Sequence, residues 1–407
     1  MKKFKVSSLA TVVSAVIYGT SAQAAEPTEL TVTNPASYDG DAYIVSSDTP
    51  PLDFNQQDVV FTKNSTNNIR LKVDGTIKNV KDLTINGDGF INNGSITMSG
   101  KFTYGDGKYN NDREKINNGT MEVGSLYSSG TDLFQNKGTL TVNDGLIHTT
   151  RFQNEGTIIS GKDTLTIQNI GNFGFTLKEG SHLQSKSGNL LDLVLTSSDA
   201  PTPLFVNHTN DLSLNSIECA DFSVHNYGTI DVVKDASFGN YYVEDNSNLK
   251  VAGTLKIKYL TDKNTIDKKP NTASINANTI IVIESSDAAV SSLKADTYIV
   301  KRSSTLYHVD SLNINHLIVE GMGSGYFAPR MKSDAEGNKQ TVHIETASFG
   351  GDNSNYSGIQ IFNYNLVIDD LDIKENVKGM INFLEEKDNH ASVGNLSVAS
   401  VSKILNS

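Results

Sequence analysis

The chain has 407 residues, a formal net charge of −12 and a single cysteine. The acidic balance argues against nucleic acid and anionic lipid as partners, because both repel a negatively charged surface. A single cysteine excludes an internal disulfide, so packing and hydrogen bonds must hold the fold together.

Residues 1–24 are typical of a secretory signal peptide. Three lysines near the start precede an apolar stretch that is too short to span a bilayer. Small side chains follow, and we expect cleavage between Ala24 and Ala25. Removal of these three lysines, with no acidic residue, takes the net charge from −12 to −15. No later stretch approaches the ~20 apolar residues of a membrane-spanning helix.

Residues 25–60 contain four prolines and little regular alternation. We expect an N-terminal cap there, because the open end of a stack of strands exposes edges that favour aggregation.

Residues 61–260 repeat the pattern apolar-x-Asn-x-Gly-Thr-apolar, with serine sometimes replacing threonine. Successive glycines from Gly94 to Gly156 are separated by 25, 19 and 18 residues. The positions that define the pattern are Asn92, Asn117, Asn136, Asn154, Asn172 and Asn226, then Gly94, Gly119, Gly138, Gly156 and Gly228, and the aromatic residues Phe90, Phe134 and Phe152.

A period near 20 residues is typical of a solenoid, in which each coil buries its apolar face only against its neighbours. Alternating apolar and β-branched residues favour strands over helices. The sequence therefore predicts an all-β fold, a right-handed parallel β-helix of roughly 17–20 coils with side loops.

Stacking one period apart places the pattern residues above one another. We expect the asparagines to exchange amide hydrogen bonds along a ladder, the aromatic residues to stack inside, and the glycines to supply a positive φ at a corner. Lys115 occupies an apolar position of the pattern. Its coil is therefore expected either to be distorted or to use Ile116 instead.

Residues 261–273 are polar and basic and are interpreted as a loop. Residues 274–407 continue the β-helix with new stacking residues, and residues 321–340 are interpreted as a loop inserted in one coil. Insertions in a solenoid often form its binding face, so aromatic residues of the long coils are candidates for contact. These are Tyr104, Tyr109, Tyr241, Tyr242, Tyr326 and Phe327.

A signal peptide followed by F-x-N-x-G-T-[IL] coils resembles the passenger domains of bacterial type V autotransporters, the pertactin-like and AIDA-like adhesins. The resemblance implies a monomeric, exported surface protein of a Gram-negative bacterium that binds host or bacterial surface glycans or proteins and contributes to virulence. It also implies a C-terminal β-barrel translocator, whose alternating strands the sequence after residue 341 does not contain. The translocator is then expected in trans or in a missing C-terminal part, and a chain without one is expected in the periplasm.

A carbohydrate-active β-helix enzyme, either a lyase or a glycoside hydrolase, is the alternative. Paired carboxylates at Asp369-Asp370 and Glu385-Glu386 are the acidic candidates. Arg330 and Lys332 match one short piece of a pectin hydrolase pattern, but they lack the histidine piece. We assign no catalytic residue, no cofactor and no metal ligand, since His208 and His225 are too far apart for a typical zinc motif.

Overall fold

The computed structural model describes two compact units, residues 1–203 and 204–407. The described residues are 28–31, 42–48, 50–62, 70–86, 89–105, 115–128, 132–170, 174–197, 203–262, 272–321, 324–333, 337–350, 356–374, 378–383 and 396–403. The signal peptide call, with Ala24 and Ala25, lies outside them, as do Tyr109 and the acidic pair at 385–386. Every regular element within the described ranges is a strand, and the predicted all-β, parallel β-helix is confirmed.

Unit 1 consists of parallel strands stacked coil upon coil. Its strands are β1 Thr28–Thr31, β2 Ala42–Val45, β3 Leu52–Thr62, β4 Arg70–Val73, β5 Thr76–Asn86, β6 Gly89–Asn92, β7 Ser95–Met98, β8 Lys101–Tyr104, β9 Lys115–Asn117, β10 Thr120–Ser128, β11 Phe134–Asn136, β12 Thr139–His148, β13 Phe152–Asn154, β14 Thr157–Ser160, β15 Thr164–Ile170, β16 Phe175–Leu177, β17 His182–Ser185 and β18 Asp192–Ser197.

Three parallel faces form each regular coil of unit 1. One face pairs β11 with β13, so that Phe134 lies on Phe152. A second pairs the first half of β12 with β14, and a third pairs its second half with β15. Alternate side chains point inward, and the Phe134 and Phe152 rings stack at 5.6 Å between centroids. The core of unit 1 is therefore a set of apolar stacks enclosed by three sheets.

A ladder of buried asparagine amides crosses the coils of unit 1. Asn92 donates to Asn117, Asn117 to Asn136, and Asn136 to Asn154, with 2.7 Å from Nδ2 to Oδ1 in each case. All four side chains are fully buried. Each of the first three amides also donates its second N–H to a backbone carbonyl of the next coil, such as that of Thr157. The ladder therefore satisfies polar groups that burial would otherwise penalise.

The repeated glycines are required by close approach of the backbone and not by a positive φ, which corrects the expectation for Gly94, Gly119, Gly138, Gly156 and Gly228. A Cβ on Gly138 would lie 2.0 Å from the carbonyl oxygen of Gly119, and one on Gly156 would lie 2.1 Å from that of Gly138. Consecutive coils thus touch backbone to backbone at this corner.

The regular period ends after Asn154, which corrects the assignment of the next coil. Asn154 stacks on Leu177, and Phe152 stacks on Phe175. The ladder therefore does not continue through Asn172, which lies outside the described residues. Asn154 donates instead to the carbonyl of its own neighbour Gly156 at 2.9 Å.

Unit 2 repeats the parallel arrangement with longer strands. They are β19 Leu204–Asn207, β20 Leu212–Leu214, β21 Ser216–Asn226, β22 Thr229–Val232, β23 Ala236–Val243, β24 Asn248–Asp262, β25 Ser274–Val282, β26 Ser286–Ala289, β27 Ser292–Val300, β28 Ser303–Val309, β29 Ser311–Val319, β30 Ser324–Met331, β31 Gln340–Phe349, β32 Tyr356–Ile361, β33 Tyr364–Ile373, β34 Lys378–Phe383 and β35 Leu396–Lys403.

Inward positions of unit 2 also stack in register. Ile280 pairs with Tyr298, and Tyr298 pairs with Leu317. A shorter amide ladder forms here, in which Asn207 donates to Asn226 at 2.8 Å. Sequence reasoning missed Asn207, because no Gly-Thr pair follows it.

Three organisational expectations differ from the structure. The described strands of residues 25–60 already pair as coils, since β1 lies parallel to β3 and β3 to β5. Residues 321–340 are not simply an inserted loop, because β30 pairs in parallel with β28 and β32. The described part makes about 13 turns, fewer than predicted, because some coils are long: His316 stacks on Thr346, 30 residues later.

Substitution of Gly138 by alanine tests the close approach at the corner. The added Cβ must displace backbone, and overpacking of this kind costs about 1–3 kcal/mol in the free energy of unfolding. Urea denaturation measures the loss. The adjacent Lys137→Ala is the control, because Lys137 is exposed and its ion pair with Glu155 spans 3.9 Å. Equal stability of the two variants would contradict the glycine argument.

Substitution of Asn136 by alanine tests the ladder. It leaves the Asn117 donor and the Asn154 acceptor buried without their partner, at a cost of about 1–3 kcal/mol for each group. The half-buried neighbour Gln135, changed to alanine, is expected to stay within about 0.5 kcal/mol of the unsubstituted protein. A ladder without energetic weight would give both variants the same urea midpoint.

Candidate functional site

Four outward rings of unit 2 lie nearly parallel and define what we call the ring surface: His208, His225, Tyr227 and Tyr242. The rings of His208 and Tyr227 stack at 4.8 Å with an interplanar angle of 8°. Those of His225 and Tyr242 stack at 4.2 Å and 7°. His225 and Tyr227 lie 6.4 Å apart at 14°, which links the two pairs.

Parallel register places these rings together. Val206 pairs with His225, and His225 pairs with Tyr242. Residues two apart on a strand share a face, so Tyr227 lies on the side of His225. The backbone N–H of Tyr227 donates to the carbonyl of Asn207 at 2.8 Å, which brings its ring over His208. Side chains one coil apart then stack because successive strands of a sheet lie about 4.8 Å apart.

Glu244 fixes the orientation of the His225 ring. Its Oε1 lies 2.7 Å from Nδ1 of His225, and the side chains are 17% and 9% exposed. Because a carboxylate only accepts, Nδ1 carries the proton of this hydrogen bond. Sequence reasoning missed Glu244 and Tyr227, although Glu244 follows His225 by 19 residues, one coil of this fold.

The ring surface offers flat apolar faces with polar groups at their edges. All four rings are half-buried, so each keeps part of its surface accessible. Tyrosine and histidine combine an apolar body with a hydrogen-bonding tip, which suits them to ligands that are wet on one side. The arrangement is therefore suited to binding and has no nucleophile positioned for chemistry.

Unit 1 has a smaller outward stack. Tyr127 and His148 stack at 5.1 Å, and Nζ of Lys101 lies 3.6 Å from the centroid of the Tyr127 ring. Burial lowers the pKa of His148 from its usual 6.5, so its ring is neutral at neutral pH. This stack is a cation–π contact with little exposed ring face.

Most of the predicted contact residues are inside the coils, which is a correction. Tyr104, Tyr241 and Phe327 are at most 1% exposed. Tyr104 follows the buried Phe102 by two residues, so strand alternation also turns it inward. Only Tyr242 and Tyr326 are half-buried, and Tyr242 alone belongs to the ring surface.

The acidic candidates for an enzyme make structural contacts. Nε2 of His343 lies 2.9 Å from both carboxylate oxygens of Asp369. The guanidinium of Arg330 lies 4.5 Å from the Tyr307 ring centroid and 4.4 Å from that of Phe362. Stacking on both rings holds Arg330 through cation–π contacts, and the structure does not bring it to the carboxylate of Asp369.

A carboxylate network that sequence reasoning missed lies in unit 1. Asp163 accepts hydrogen bonds from the hydroxyls of Ser185 and Ser187 at 2.6 and 2.5 Å, and from the amide of Asn189 at 2.9 Å. These bonds stabilise the charged form and lower the pKa of Asp163 to about 2. The network ties two turns together.

Within the described ranges, no three His, Cys, Asp or Glu side chains form a group that would hold a metal ion. The same ranges include no helix long and apolar enough to cross a membrane. Comparison of the chain with protein-family models, with curated proteins and with solved structures gives no match.

The Asp163 network predicts a low titration midpoint. The folded pKa lies below the usual 3.8, so these bonds add stability above pH 3.8 and lose it as the pH falls towards about 2. The amide NMR signals of Ser187 and Asn189 should titrate with a midpoint near 2. The Asp163→Asn variant should abolish this transition, and a midpoint at or above 3.8 would contradict the network.

Proposed function

We propose that the chain is an exported, passenger-like β-solenoid protein that binds glycans or proteins of host or bacterial surfaces, with the ring surface of unit 2 as its contact face. The observation that carries the proposal is the coplanar arrangement of four outward rings, two of them 4.2 Å apart. Stacked aromatic groups that are partly exposed are characteristic contact residues.

A flat ring suits a sugar ligand because the two faces of a pyranose carry C–H groups and its edge carries hydroxyls. The C–H face packs on a tyrosine or histidine ring, and the tyrosine hydroxyls supply donors and acceptors at the edge. A protein ligand would present apolar or cationic side chains to the same rings. The proposal therefore requires no conformational change in the solenoid.

Export is the second element of the proposal. The first 24 residues have the charged start, short apolar stretch and small-residue end of a secretory signal peptide. A solenoid held by stacking alone, with one cysteine, suits transport in an unfolded state, since no disulfide must form first. The proposed destination is the cell surface or the outside of the cell.

Removal of the ring faces tests the proposal. We expect the Tyr227→Ala/Tyr242→Ala variant to lose affinity for surface ligands by roughly tenfold or more, because each truncated contact ring costs about 1–2 kcal/mol. Binding to a glycan array and adherence to host and bacterial cells measure the loss. Tyr259→Ala is the control, since Tyr259 is 38% exposed in the same unit but lies outside the ring surface.

Two results would overturn the proposal. Equal binding by the unsubstituted protein and the double variant would remove the ring surface from the contact. Release of reducing or unsaturated sugar from a polysaccharide panel would favour the carbohydrate-active enzyme instead. Urea midpoints of both variants separate lost contact from lost fold.

A further inference from the structure

Lys115 keeps the apolar position of its coil, and neither expected alternative occurs. It stacks in register between Phe90 and Phe134, and Ile116 points the other way. The Lys115 side chain is 1% exposed. A charged side chain thus replaces a phenylalanine in the interior stack of unit 1.

Asp132 is the partner of this lysine. Its Oδ2 lies 3.3 Å from Nζ of Lys115, and its side chain is 8% exposed. The buried phenol of Tyr104 lies nearby, with its hydroxyl 2.9 Å from that of Thr149. Burial raises the pKa of Tyr104, and the carboxylate of Asp132 raises it further. Amine, carboxyl and phenol therefore share one water-poor interior.

Such surroundings change which form of the pair is favoured. Removing an ammonium and a carboxylate from water costs several kcal/mol for each ion. Desolvation favours the neutral forms of both groups, so a proton moves readily from Nζ to the carboxylate. A neutral amine is a nucleophile, and a protonated carboxyl group is its acceptor. The carboxyl carbon is one bond from the oxygen that Nζ touches.

We propose that Lys115 and Asp132 form an intramolecular amide bond, a covalent cross-link that the folded chain makes on itself. Nζ of the neutral lysine attacks the carboxyl carbon of the protonated aspartic acid, and a C–N bond forms. The C–OH bond breaks, and the hydroxyl leaves with one proton from nitrogen as water. Two reactants, the amine and the acid, give amide and water, and no oxidant or further reactant is needed.

The bond would remove both buried charges and close a covalent loop from residue 115 to residue 132. It would thereby tie one coil of unit 1 to itself, in a chain whose single cysteine, Cys219, is buried and lies in unit 2. Cross-links restrict the unfolded chain, so the coil becomes harder to unravel by protease or by force.

Peptide mass spectrometry of the unfolded full-length protein tests the bond. Trypsin would fail to cleave after Lys115, and the peptide Glu114–Lys137 would be lighter by one water molecule. Further cleavage after Glu122 would leave the two halves joined. An aspartyl succinimide also loses water, but it would not block trypsin at Lys115 or hold the halves together.

Two controls accompany the measurement. Lys332 and Asp310 approach more closely, at 2.9 Å, but their side chains are 32% and 48% exposed. These groups stay hydrated and charged, so trypsin should cleave after Lys332. The Lys115→Arg variant keeps the positive charge but cannot deprotonate, so it should show no loss of water.

Cleavage after Lys115, with peptides of full mass from the unsubstituted protein, would overturn the proposal and leave the pair as an ion pair. This readout does not depend on whether Lys115→Arg folds, because it is made on the unsubstituted chain. A joined product between Lys115 and Asp132 establishes the cross-link directly.

Discussion

Direct backbone contact between successive coils is the constraint on which the structure depends. A Cβ at Gly138 would lie 2.0 Å from the carbonyl oxygen of Gly119, so this corner accepts only glycine. The same corner brings Asn136 within 2.7 Å of Asn154. A buried amide that both donates and accepts at this distance fixes the register of three sheets at once, because a slip of one residue would orphan several polar groups.

Fixed register also determines what the outside of a coil can present. Once Val206, His225 and Tyr242 are paired, their side chains must stand one strand spacing apart on the outer face. Rings at that spacing stack without further adjustment, and Glu244 sets the plane of the His225 ring. The ring surface is thus a consequence of the coil period, with the specific ring types supplied by sequence.

Sequence periodicity predicted the fold and much of its interior because stacking repeats the same residue one coil later. Phe134 on Phe152 and Asn136 on Asn154 follow from an 18-residue spacing. The next coil could not be placed in this way, since Leu177 replaces the asparagine and the spacing lengthens. Tyr104 and Tyr241 were misplaced because coil length was weighed above the simple alternation that turns both side chains inward. Asp163 gave no signal, because its partners are turn residues outside the repeat.

The repeat also explains why the substitution at position 115 is informative. A stack in which Phe90, Phe134 and Phe152 occupy equivalent positions tolerates many apolar side chains, since volume is easier to conserve than charge. Lysine there imposes a desolvation cost that a leucine would avoid, and Asp132 offsets it only by being buried as well. Two charges in one apolar stack are costly as a packing solution, whereas the same two groups as an amide would be a neutral, hydrogen-bonding unit that fits the interior. The chemistry open to the pair is therefore a better account of its position than the ion pair alone.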